Sequence, residues 1–225
     1  MRTAAILPVK DFSHAKQRLR ASVTNPLHTG LTRAMVDDVL AAVHACRSIE
    51  RTIVVTNEQA VATAACSQGA IVVPDSAEDG QSAAVALGIE SALADGIERA
   101  LCIPGDCPAL DPEQLEQLLD SAAPARGQRQ VVIVPDRHGT GTNGLLLAPP
   151  DAIAPSFGPG SCERHEALAR AAGAACRQER PSSLLLDIDT GEDLAVLRER
   201  LAGGPIGAPR TCKLLDVTIT PSRAA

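Results

Sequence analysis

Short runs that are apolar throughout alternate with helix-period stretches along almost the whole chain, and this alternation limits the fold more than any other feature. Residues 4–9, 53–56, 71–73, 100–103, 131–134, 144–147 and 183–188 each read as a strand without a polar face. Between them, apolar spacing predicts helices near 13–20, 28–46, 58–68, 81–95, 112–122, 162–173 and 191–201. A strand that is apolar on both sides must be covered on both faces. Strands of that kind separated by helices build a mostly parallel sheet between helical layers. Only 131–147 holds two strands with no helix between them, which predicts an antiparallel excursion and hence a mixed sheet. The expectation is one α/β domain over 1–202. A tail of unassigned role follows over 203–225, where Gly and Pro give way to a β-like stretch at 213–220.

Composition removes several function classes. Acidic residues outnumber basic ones 27 to 21, a net charge of −6, which argues against nonspecific binding to nucleic acid or anionic membrane. Trp and Tyr are absent and Phe occurs only at Phe12 and Phe157, so there is no platform for stacking single-stranded bases. No apolar run is long enough to span a bilayer and the first ten residues are too short for a signal peptide. The seven cysteines include no C-x-x-C pair and are odd in number. They fit a reducing, cytoplasmic location as small buried hydrophobes, and they make zinc improbable.

The polar residues that matter cluster at strand ends. Val73-Pro74-Asp75, Ile103-Pro104-Gly105-Asp106, Val134-Pro135-Asp136 and Leu186-Asp187-Ile188-Asp189 each place aspartate just past an apolar run, where open α/β sheets bind ligands. In a strand, Asp187 and Asp189 leave from one face. Thr190 then reads as the N-cap of the next helix, with Asp193 three residues on. Carboxylates held that close repel unless a cation sits among them, and Mg²⁺ takes one or two carboxylates plus substrate phosphates. An isolated Asp-x-Asp more often marks solvated aspartates at a junction; the other strand-end aspartates reverse that balance. In Pro104-Gly105-Asp106-Cys107-Pro108, two prolines and a glycine fix the backbone around one carboxylate. This favours a metal ligand over a merely rigid turn. Cys107 reads as structural.

Lys10 closes the first strand, and Lys16 and Arg18 lie in the helix behind it. Together they suit a polyphosphate, although Lys16 and Arg18 read equally as a solvated face. Gln81 and Ser82 open a helix after the third strand and could read a guanine edge or simply cap. The run Gly139-Thr140-Gly141-Thr142-Asn143-Gly144 matches G-x-G-x-x-G, but a strand follows it instead of a helix, so it is no dinucleotide fingerprint. Its amides and hydroxyls, Thr142 among them, can still hold an anion. Gly158 and Ser161, in Phe157-Gly158-Pro159-Gly160-Ser161, feed a helix N-terminus that can cradle a phosphate or carboxylate or be ordinary capping. His165 reads as a helix-surface residue without a proton-transfer role.

From residue 5 to about 201 these ordered motifs resemble the guanylyltransferases that build the phospho-acid precursor of the deazaflavin coenzyme F420. The resemblance rests on Pro8-Val9-Lys10 with 15–19, on 104–108, on 139–147, on 157–165 and on 186–194. It implies a single-domain, GT-A-like (Rossmann-like) nucleotidyltransferase fold, GTP as donor and a small phosphorylated three-carbon acid as acceptor. It also implies a product passed to a downstream transferase. Asp106, Asp187 and Asp189 would ligate one or two Mg²⁺ (or Mn²⁺), while Lys10, Thr142, Gly158 and Ser161 would hold the acceptor.

The chemistry needs no general base, since a phosphate monoester is largely dianionic at neutral pH. Acceptors in the family are 2-phospho-L-lactate, phosphoenolpyruvate or 3-phospho-D-glycerate; the short loop at 75–80 leaves room for a bulkier acid and leans to 3-phosphoglycerate. Sugar- or molybdopterin-type nucleotidyltransferases are the enzymatic rival, but they open with a glycine-rich stretch that Pro8-Val9-Lys10-Asp11-Phe12 lacks. A non-catalytic nucleotide-binding protein on the same fold is the other alternative.

Overall fold

The computed structural model describes residues 1–12, 19, 25–77, 79–121, 127–202 and 207–215. Seven strands, β1 (Thr3–Pro8), β2 (Arg51–Val55), β3 (Ile71–Val73), β4 (Arg99–Cys102), β5 (Gln130–Pro135), β6 (Thr142–Ala148) and β7 (Ala175–Gln178), form one sheet in the order β3-β2-β1-β4-β6-β5-β7. β6 runs antiparallel to both β4 and β5, and every other pairing is parallel. The mixed, mostly parallel sheet expected from the 131–147 pattern is therefore present.

Side-chain alternation along the strands divides the core. On one face Ala5, Leu7, Val54, Leu101, Val132 and Leu146 pack against α1 (Asn25–Ala45), α2 (Gln59–Ser67) and α4 (Pro112–Ser121). On the other, Ala4, Ile6, Ile53, Cys102, Ile133 and Leu145 pack against α3 (Gln81–Ala94) and α5 (Ser161–Ala171). A Cβ at Gly88 would overlap the Ile6 side chain, so α3 crosses β1 at a distance only glycine permits.

Two segments depart from the sequence expectation. Residues 183–188 are not a strand. The place beside β5 belongs to β7, whose Ala175, Cys176 and Gln178 are exposed. The 183–188 run keeps strand-like alternation, with Leu184, Leu186 and Ile188 buried, but packs as an irregular extended segment. Leu184 joins the α1/α4 side of the core; Leu186 and Ile188 join a third cluster with Leu194, Leu197 and Leu201 of α6 (Gly191–Ala202). The tail is not β-like where it is described: α7 (Pro209–Leu214) is a helix. It docks on α1, where the backbone N–H groups of Arg210 and Thr211 donate to the buried Asp38 carboxylate at 3.2 and 2.8 Å. Among the described residues no helix is long and apolar enough to cross a membrane.

Candidate active site

The C-terminal ends of β1, β3, β4 and β5 and the start of β6 open on a single cavity of about 710 Å³. Its lining includes Lys10, Asp75, Gln81, Asp106, Asp136, Thr142, Gly158, Ser161, Asp187 and Asp189. Eight of the candidate residues, from six separate segments, thus share one space. Lys16 and Arg18 lie outside the described residues. Ser82 does not line the cavity: its hydroxyl accepts the Phe157 N–H at 2.8 Å, tying α3 to the loop before α5. Its part is structural, and a role in base recognition does not follow.

The acidic group is gathered by backbone contacts. Ile188 N–H donates to the Asp106 carbonyl at 3.1 Å, so the loop after β4 and the segment before α6 are clipped together, with Asp187 and Asp189 flanking the clip in the chain. Gly105 permits the approach: a Cβ there would stand 3.0 Å from Val36 Cγ2 and 3.3 Å from Val9 Cγ2. Asn143 holds Asp187 from β6, donating to its Oδ1 at 3.1 Å. Asp193 orders the next turn by accepting from Asp189 N, Thr190 N and Thr190 Oγ1 at 3.1, 2.7 and 2.7 Å. Asp193 N–H returns to Thr190 Oγ1 at 3.2 Å, completing the capping box expected at this helix start. Arg137, from the β5–β6 loop, pairs with Asp193 at 2.7 Å.

Burial, then the Asp106 carboxylate, push Asp187 up to about 6; the Asn143 hydrogen bond opposes this and Asp189 adds to it. Mutual repulsion of this kind is what a hard divalent cation relieves. Among the described residues no group of three or more His, Cys, Asp or Glu is arranged to hold a metal ion. The donor set fits Mg²⁺, which draws part of its shell from phosphate oxygens and water.

A second group in the same cavity supplies donors. Ser161 begins α5, behind Gly158 at φ 106° and Gly160 at φ 71°, a left-handed turn that glycine adopts without strain. Arg164 clamps this turn, donating to the Ser156 and Phe157 carbonyls at 3.0 and 3.1 Å and to that of Pro159. Ser161 Oγ lies 3.0 Å from Thr142 Oγ1, which lies 3.1 Å from His165 Nδ1. His165 is fully buried, not on the helix surface, and burial with the nearby Arg164 charge lowers it to about 4.

The model of the family described as "Guanylyl transferase CofC like" matches residues 3–224. The chain belongs to this guanylyltransferase family. It is 45% identical over 216 residues, 96% of each protein, to the phosphoenolpyruvate guanylyltransferase of Conexibacter woesei. It is 32% identical over 225 residues, all of this chain and 96% of the relative, to the 2-phospho-L-lactate guanylyltransferase of Methanothermobacter thermautotrophicus. A structure from Desulfovibrio desulfuricans G20, provisionally assigned as a nucleotide-diphospho-sugar transferase, superimposes with a TM-score of 0.74 at 17% identity, covering 96% of this chain and 95% of that one. That likeness speaks to the fold, which is the nucleotidyltransferase α/β fold.

Three residues of this guanylyltransferase carry roles that sequence reading misses: Asn143 and Arg137, which line the cavity, and the buried His165 behind it. Asn143 sat inside a glycine-threonine loop read only for its amides and hydroxyls. His165 has no sequence mark of burial beyond its place four residues after Ser161, one turn along the same helix face.

Proposed function

We propose that this guanylyltransferase moves GMP from GTP to a small phosphorylated three-carbon acid, with phosphoenolpyruvate or 2-phospho-L-lactate as acceptor, in coenzyme F420 biosynthesis. The observation that carries the reading is the pairing, in one cavity, of a crowded carboxylate group with the hydroxyls and helix N-terminus of 158–161. The first half suits a metal-bound triphosphate, the second a small anion. The acceptor names carried by the relatives support the enol acid and phospholactate. They lend nothing to the 3-phosphoglycerate preference read from the 75–80 loop.

In the proposed reaction an oxygen of the acceptor phosphate bonds to the α-phosphorus of GTP while the bond to the α,β-bridging oxygen breaks, and pyrophosphate leaves. Mg²⁺, when bound, neutralises phosphate charge and lowers the barrier to in-line displacement. Asp106, Asp187 and Asp189 would hold it. Lys10, exposed at the end of β1, offers a mobile cation to a phosphate. Gln81, at the start of α3 and lining the cavity, presents an amide able to pair with a base edge. Thr142, Gly158 and Ser161 receive the acid. No side chain is asked to move a proton, consistent with a nucleophile already ionised. The product, an activated phosphoanhydride, suits consumption by a downstream transferase.

GTP and Mg²⁺ offered with each of the three acids in turn, with the product followed by mass, test this directly. Guanylated phosphoenolpyruvate or phospholactate together with pyrophosphate is the expected result. Guanylation of none of them would overturn the reading, and guanylation of 3-phosphoglycerate alone would move the acceptor.

A further inference from the structure

We propose that His165 is a positioning residue whose tautomer turns the Thr142–Ser161 hydroxyl pair into a hydrogen-bond donor toward the acceptor anion; this rests on the acceptor site assigned above. The chain of hydrogen bonds begins at a donor of fixed identity. The backbone N–H of Ser156 points to His165 Nε2 at 2.9 Å, and a backbone N–H can only donate. Nε2 therefore carries a lone pair, and the single proton of the neutral ring lies on Nδ1. Burial and the neighbouring Arg164 charge keep the ring neutral.

Nδ1 stands 3.1 Å from Thr142 Oγ1, so its N–H donates to that oxygen. The two hydroxyls, 3.0 Å apart, then share two hydrogens, and only one of these can lie on the line between them. The other is left for the cavity, which both residues line. The opposite tautomer reverses the outcome. A bare Nδ1 would accept the Thr142 hydrogen, the Ser161 hydrogen would go to Thr142 Oγ1, and the pair would face the ligand with lone pairs only. Phosphate and carboxylate oxygens accept and never donate, so only the first arrangement binds them.

The ring is built to stay in that state. It is fully buried, its Phe157 neighbour packs edge-to-face at 5.1 Å and 73°, and Arg164 holds the Ser156 carbonyl on the same loop that supplies the fixed N–H. None of these contacts touches the aspartate group, so the device acts on the acceptor alone.

Two measurements test it. Nitrogen-15 NMR of ring-labelled histidine, with the His165 signal assigned by its loss in His165→Asn, should show a protonated Nδ1 and a bare Nε2, the reverse of the tautomer favoured in water. Steady-state kinetics should then separate two variants of similar size. His165→Gln can reach the Ser156 N–H but not Thr142, and the acceptor KM should rise about tenfold with GTP KM and saturated turnover within about twofold of wild type. His165→Asn keeps an N–H near the Nδ1 position and should return the acceptor KM to within about threefold of wild type. A protonated Nε2, or equal acceptor KM values in the two variants, overturns the proposal. Wild-type protein that turns over none of the three acids defeats the acceptor reading instead, and the NMR result still decides the tautomer.

Discussion

The Asn143 amide donates one hydrogen to Asp187 Oδ1 at 3.1 Å and the other to the Leu184 carbonyl at 2.9 Å. This side chain on β6 thereby pins both ends of a segment that belongs to no strand. Leu184, Leu186 and Ile188 bury themselves by alternation, but alternation alone does not fix height along the sheet. Asn143 does, and it brings Asp187 to the level of Asp106.

Asn143→Ala leaves a buried carbonyl and a carboxylate without this donor. The cost should be about 2–3 kcal/mol, read as a fall in Tm of roughly 5–10 °C for a chain this long. The Asp187 pKa should rise further, since the hydrogen bond that lowers it is gone. Thermal melts and carboxyl NMR of the variant check both.

Asp187 gives a pH dependence of unusual sign. Its folded pKa, pushed up from 3.8 to about 6, lies above the unfolded value. The folded state therefore binds the proton more tightly, and the stabilisation it provides is full below about pH 4 and lost as pH rises through about 6. Metal-free Asp187→Asn should accordingly melt higher than wild type at pH 7.5, by up to about 3 kcal/mol, with the advantage vanishing near pH 4. Added Mg²⁺ should raise the Tm of wild type and leave the variant nearly unmoved. Melts at pH 4 and 7.5, with and without Mg²⁺, make the comparison. A wild type more stable than the variant in metal-free buffer at pH 7.5 would contradict it.

Asp193 accepts three hydrogen bonds at the start of α6 and pairs with Arg137. Asp193→Ala should lose about 2 kcal/mol through the cap and free the backbone that carries Asp189. The Mg²⁺ concentration needed for half-maximal activity should increase several-fold. Arg137→Met, which spares the cap, should show a smaller loss of stability. Denaturant unfolding and metal titrations of the pair separate the two contributions.

Much of this architecture was legible in the sequence because its signal is local. Six strands and the helices near 28–46, 58–68, 81–95, 112–122, 162–173 and 191–201 are apolar runs and helical periods, and the β5–β6 reversal followed from the missing helix. The helix expected near 13–20 lies, except at 19, outside the described residues. What escaped was set by tertiary competition. β7 reads Ala-Cys-Arg-Gln, an exposed edge with no apolar run to mark it, and by pairing with β5 it displaced the more hydrophobic 183–188 from the sheet. Asp187 and Asp189 reach the cavity all the same, because alternate residues of an extended chain project to the same side whether or not the chain is hydrogen-bonded to neighbours. The 213–220 stretch suggested β structure, yet its first residues end a helix docked on Asp38. Buried polar partners such as His165 and Asn143 are set by contacts 23 and 41 residues away, which no local pattern encodes.

The most direct measurement is acceptor-dependent pyrophosphate release from GTP and Mg²⁺ by Asp106→Asn, Asp187→Asn and Asp189→Asn, each checked for native circular dichroism and a cooperative melt. If the three carboxylates jointly hold the metal, each folded variant should lose at least about a hundredfold in turnover, with partial recovery at raised metal concentration. Near wild-type turnover by folded Asp187→Asn would contradict the metal-centred reading of this cavity.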